Sequence, residues 1–321
     1  MRVGRVVGVA LLLAGFASAT GHAAAVQPQA LVEQALAGLA PAPVAGGAWT
    51  VLDRETLLGV LCAPRDGPAI RVALTTRPPS RWQHIACVGV AAAALSDRIV
   101  GHEALLAFGA QSPPPLTAAL LFRALAARVP DASGGVVLNR ATNWRALDPS
   151  LPDGPIRVLL PPDGTAEAGI LRELVLYGGC LAAAGTGLPR LAGACMALCA
   201  DLRGEAVAQR ATPGRAAAAW LREAGPTAVA LVGLQTVAAE PELENALPLN
   251  GVAPGFASIA DGTYRAALPV HLLVLHAGAP AEAAEATLAL TAESAIGPMG
   301  ALARRGLSAL PAAERVRLRA K

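Results

Sequence analysis

The residues best able to do covalent or metal chemistry in this chain are five cysteines, Cys62, Cys87, Cys180, Cys195 and Cys199, and five histidines, His22, His84, His102, His271 and His276. Cys195 and Cys199 have helical i,i+4 spacing, but no nearby His or Cys pair completes the four ligands of a zinc site, so no metal is expected. No two histidines form HExxH, no serine lies in GxSxG, and no GxGxxG opens a helix. Glycine-rich stretches such as GTGLPRLAGAC lack the lysine of a phosphate-cradling loop. The sequence therefore reads as a non-enzyme without a cofactor. Each cysteine is left as half of a disulfide or as a small buried hydrophobe, and the odd count leaves at least one thiol over.

What remains is binding, and the elements that would position a binding site alternate. AIRVALTTR (69–77) reads as a strand meeting a polar loop, and DRIVGHEALLAFGA (97–110) as a strand pair about Gly101. LTAALLFRALAARV (116–129) has helical periodicity. PIRVLLPPDGT (155–165) is a short buried strand ending in a loop, and AEAGILRELVLYGGC (166–180) resumes the helical period. TAVALVGL (227–234) and ALPVHLLVLH (267–276) are further apolar runs of strand length. Strands and helices in this alternation predict an α/β fold with largely parallel sheets. Ligands of such sheets lie beyond the carboxyl ends of the strands, so the loops after Leu74 and Leu160 are the candidate site. Asp163 reads equally as the N-cap of the helix that follows.

The N-terminus has the shape of a signal peptide. Arg2 and Arg5 precede the apolar run Val6–Phe16, and Ala23–Ala25 supply small residues at the cleavage offset. Residues 1–25 are then removed, which lowers the formal charge of +3 by two and leaves no basic surplus for nucleic acid. The apolar run is too short to span a bilayer, so the mature chain is expected to be periplasmic and not membrane-spanning. With 54% hydrophobic residues it has ample material for a packed core.

Four segments, in chain order, carry a likeness: the helix at 116–129 followed by Asn143, Trp144 and LPDGPIRVLLPPDGT (151–165), then GGC (178–180) with CADLRGE (199–205), then LNGVAPGFASIADGTYRAALPVHLLVLH (249–276), then GPMGALARRGLSALPAAERVRLRA (297–320). Together they resemble the phosphate-binding proteins of ABC transporters, a branch of the periplasmic substrate-binding superfamily. Residues 249–276 are similar to that family's return segment between lobes, and the likeness runs from about Leu61 to the C-terminus.

The resemblance implies a two-lobed fold of the periplasmic-binding-protein type 2, with a hinge between lobes. Lobe one would be residues 26–109 plus 251–321, shortened in its N-terminal part, and lobe two 110–250. The stiff stretch Gly109–Leu116 is the crossing, and Leu249–Pro254 the return. It also implies disulfides Cys62–Cys87 and Cys180–Cys199, with Cys195 free. The expected partners are a small anion, phosphate or a related oxyanion, and an ABC permease. The ligand-binding positions carried over are Thr76, Arg77, Asp163, Gly164, Thr165 and Glu103. The chain departs from the family pattern at each loop. Only VAGGAWTVLDRE (44–55) stands where a Gly-Ser-Ser-Thr loop belongs, Thr76-Arg77 replaces Ser-Arg, and Asp163-Gly164-Thr165-Ala166 replaces Ser-Gly-Thr-Arg. A carboxylate thus stands where a hydroxyl should face an anion. At about 4 Å that is worth about 1 kcal/mol of repulsion in bulk water and several near a dielectric of 20. The alternative is a non-transport relative whose anion site has decayed and whose scaffold serves as an interaction or sensor module.

Overall fold

The computed structural model describes residues 70–78, 93–131, 136–184, 199, 201–204, 206–212, 214–277 and 280–320. The expected signal peptide, the 44–55 stretch, Cys62, Cys87 and Cys195 lie outside them. The chain divides into two compact units: one is residues up to His102 together with Pro269–Lys321, the other Glu103–Leu268. Passage from one to the other falls inside two strands, β2 (Ala93–Gly109) and β8 (Ala267–Ala277). Pro113–Pro115 and Leu249–Pro254 both lie within the second unit. There Asn250 N–H donates to Leu116 O (3.0 Å), and its side-chain Oδ1 accepts from Ala118 N (3.0 Å). Asn250 and Gly251 take positive φ (54° and 79°), a conformation that asparagine and glycine tolerate best.

Before β2 comes β1 (Ile70–Thr75), which pairs antiparallel with β8 in the register Ile70↔His276 to Thr75↔His271. After β2 the chain forms α1 (Ala118–Leu125), a hairpin of β3 (Arg128–Pro130) and β4 (Val136–Leu138), and the short α2 (Trp144–Leu147). Next come β5 (Val158–Leu160) and α3 (Ala166–Ile170), which runs through a π-helical segment (Leu171–Leu176) into α4 (Tyr177–Ala184). β6 (Ala208–Arg210), α5 (Ala217–Ala224), β7 (Val229–Gly233), α6 (Leu234–Ala239) and α7 (Phe256–Ala260) lead back to β8. The chain ends in α8 (Pro280–Leu290), α9 (Glu293–Ile296), α10 (Ala301–Arg304) and α11 (Ala312–Arg319). Among the described residues no helix is long and apolar enough to cross a membrane.

In the second unit β5 pairs parallel with both β6 and β7, and the Leu105–Gly109 part of β2 joins β7 antiparallel. The mixed α/β fold expected from the alternation is therefore present. β5 and β7 are buried throughout, as strands covered on both faces must be. Their core includes Trp144, Trp220 and Tyr264, each with its polar atom satisfied. Trp144 Nε1 donates to Thr227 O (3.0 Å), Trp220 Nε1 to Gln209 Oε1 (2.8 Å) and Tyr264 Oη to Leu105 O (2.8 Å). Burial pushes the Tyr264 hydroxyl pKa well above its ordinary value.

Two local readings of the sequence are corrected. DRIVGHEALLAFGA is one continuous strand, not a pair about Gly101. A Cβ there would lie 2.6 Å from Leu307 Cδ2 and 2.7 Å from Ser308 O, so the glycine marks a close approach of chain to strand. The helix at 116–129 stops at Leu125, and Arg128–Pro130 become β3, which the β4 strand recruits into a ladder.

Candidate functional site

In the first unit β1 ends at Thr75, whose Oγ1 accepts from Arg77 N (3.1 Å) and closes a tight turn. Thr76 is buried within that turn and Arg77 is half-buried. Asp163, Gly164, Thr165 and Glu103 all belong to the second unit.

The loop after β5 is built by its two prolines and by Gly164, which sits at φ +82°. Thr165, not Asp163, is the N-cap of α3. Its Oγ1 accepts from Ala168 N (3.3 Å) and donates to Pro162 O (2.9 Å). Asp163 turns outward to Arg210, with Oδ1 2.9 Å from Nη2. Arg210 reaches it because β5 and β6 are in parallel register Leu160↔Arg210, which sets the guanidinium beside the loop. Its Nη1 also donates to Pro161 O (3.0 Å). The Asp163 side chain is 70% exposed and that of Arg210 31%, so the pair by itself is worth at most about 1 kcal/mol. Its chemical meaning is charge balance. Arg210 thus arrives from β6 beside the loop that leads to Ala166.

Glu103 is fully buried on β2, and its Oε1 accepts from Ala104 N (3.0 Å) and from Leu234 N at the start of α6 (3.0 Å). Its Oε2 is buried with no partner. Glu167, in the first turn of α3, is 8% exposed. Burial, then the Glu167 charge, push the Glu103 carboxyl well above the usual range, against the pull of its two N–H donors. Burial likewise raises Glu167, opposed by its own backbone N–H and by Thr165. Both carboxyls border the Gly233–Leu234 segment. A Cβ at Gly233 would lie 2.0 Å from Glu167 Oε1 and 2.3 Å from its Cγ. Gly233→Ala is accordingly expected to cost roughly 1–3 kcal/mol by overpacking, measured as a lower urea midpoint at unchanged slope.

Arg210 and Glu167 are the residues that sequence reasoning missed. Arg210 has no motif of its own, because its place depends on a strand register. Glu167 looks like any acid in a helix's first turn.

A family profile described as "PBP superfamily domain" matches residues 53–291. The chain belongs to the PBP superfamily. The resemblance drawn from sequence motifs thus holds at that level, and so does the implied bridge Cys180–Cys199, which is formed. Solved structures share the superfamily's fold. A phosphate-binding protein from Stenotrophomonas maltophilia is 13% identical with TM-score 0.56, over 89% of this chain and 88% of its own. A high affinity periplasmic phosphate-binding protein, PfluDING, bound with phosphate, gives 11% and 0.54 over 90% and 91%. The ancestral soluble variant of the human phosphate binding protein gives 10% and 0.51, again over 90% and 91%. At these identities the likeness is one of fold. No curated protein matches the sequence.

Proposed function

We propose that this superfamily member is an exported periplasmic solute-binding protein for phosphate or a related oxyanion, which it delivers to an ABC-type permease. The observation that carries the reading is the Arg210–Asp163 pair at the Pro161–Thr165 loop. It places a guanidinium, a fork suited to oxyanions, at the loop where the resemblance puts the ligand. Solved neighbours named as phosphate-binding proteins support the ligand class. Gly164, Thr165 and Glu103 are the further ligand residues proposed within the second unit, and Thr76 and Arg77 those proposed within the first.

One observation favours the second reading, a scaffold that has lost its anion. Thr165 Oγ1 already donates to Pro162 O, and Arg210 already has a carboxylate partner. Titration of wild type, Asp163→Ser and Arg210→Ala with phosphate at fixed salt and pH separates the two. Under the oxyanion reading Asp163→Ser frees the guanidinium and removes a repelling charge, tightening binding about tenfold for each 1.4 kcal/mol recovered. Arg210→Ala removes a charged donor and is expected to weaken binding by roughly 10- to 100-fold. Absence of binding in all three favours the interaction module. Weaker binding by Asp163→Ser shows instead that the carboxylate is a wanted acceptor for a phosphate proton.

A further inference from the structure

The buried carboxyls of Glu103 and Glu167 are not used by the ligand reading as charges, and their surroundings do not allow both to be charged. Glu103 Oε1 is satisfied by the N–H groups of Ala104 and Leu234, while Oε2 is sealed from solvent without a donor. A buried carboxylate oxygen left without a donor is costly. The donor cannot come from the neighbouring elements as charged side chains. β7 (Val229–Gly233) and α6 (Leu234–Ala239) carry no titratable residue, and α3 (Ala166–Ile170) carries only Glu167. Asp163 on the preceding loop and Arg210 at the end of β6 are paired with each other. On β2 itself burial holds the adjacent His102 below its ordinary pKa, opposed by the Glu314 charge of α11. Among the described residues Glu167 is thus the one charged side chain acting on Glu103. Gly233 is the point of convergence: its N–H-bearing successor Leu234 binds Glu103, and its bare α-carbon lies against Glu167.

We propose that Glu103 and Glu167 hold one proton between them, in an acid–carboxylate hydrogen bond from one carboxyl to the other that fastens the first turn of α3 to the β7–α6 junction. The proton supplies the donor that Glu103 Oε2 lacks and removes one of two like charges from a water-poor site. It also lowers the negative charge immediately behind the Pro161–Thr165 loop. This site stands on unit-two geometry and does not depend on which ligand the protein takes.

The folded state holds this proton more tightly than the unfolded chain, whose glutamates titrate in the ordinary range. The stabilisation is therefore complete below that range and is lost as pH rises through the folded value. Thermal midpoints of the chain lacking residues 1–25 are expected to fall as pH is raised from about 5 to about 8. Glu167→Gln, which keeps a donor and cannot ionise, should flatten that fall and raise the midpoint at the alkaline end. Infrared spectra of folded wild type at neutral pH should show a protonated-carboxyl C=O band that Glu167→Gln removes. The proposal is overturned if wild type lacks that band, a result independent of how any variant folds. It is also overturned if Glu167→Gln retains the wild-type pH slope.

Discussion

Trp144→Ala is expected to lower stability by about 3–5 kcal/mol, most of the margin of many domains of this size. Trp144 is fully buried at the first position of α2. Asn143 caps that turn through its side chain, accepting from Arg145 N. The indole fills space beside β5 and β7, and its Nε1 is the donor for Thr227 O. Alanine removes the apolar area, leaves a cavity that a four-residue helix cannot collapse, and strands that carbonyl. Trp144→Phe keeps most of the apolar contact and loses the hydrogen bond with part of the ring volume, at about 1–3 kcal/mol. Urea midpoints measure both. A loss below about 1 kcal/mol for Trp144→Ala would show that the side chain does not organise this core.

Replacing Cys180 and Cys199 together by alanine is the second large effect, expected at about 2–5 kcal/mol. The bridge spans 19 residues, and both cysteines are fully buried against Phe122 and Ala126. Cross-linking a loop of this length removes conformations from the unfolded chain, worth roughly 3 kcal/mol on the entropic account. Alanine keeps each Cβ but removes two Sγ atoms packed with Phe122 and Ala126, so the loss combines the covalent link with a small cavity. Reduced and oxidised wild type compared under the same denaturant isolate the covalent link. Equal midpoints for the double variant and oxidised wild type would contradict the assignment of this bridge as a stabilising one.

The architecture was legible wherever local pattern and tertiary demand agree. β5 and β7 are short apolar runs closed by turn residues, and the structure uses them as buried parallel strands. The pattern failed where a distant partner decides. Gly101 breaks no strand, because its role is to admit Leu307 and Ser308 against β2. Arg128 and Val129 continue a helical period but pair with β4 instead. At the proposed site the loop was legible from Asp163-Gly164-Thr165, while its electrostatics were not. The capping role falls to Thr165, the charge of Asp163 is balanced by Arg210 across a strand register, and Glu103 finds Glu167 only when β2, α3 and α6 are assembled. None of these partnerships lies within a single window of sequence.

The most direct measurement is calorimetric titration of the chain lacking residues 1–25 with phosphate, sulfate, arsenate and a phosphonate, at one pH and salt concentration. The oxyanion reading predicts saturable binding of at least one of them with one site per chain, abolished or sharply weakened by Arg210→Ala. Folded protein that gives no binding heat with any of the four, and no rise in thermal midpoint at high ligand concentration, would contradict it.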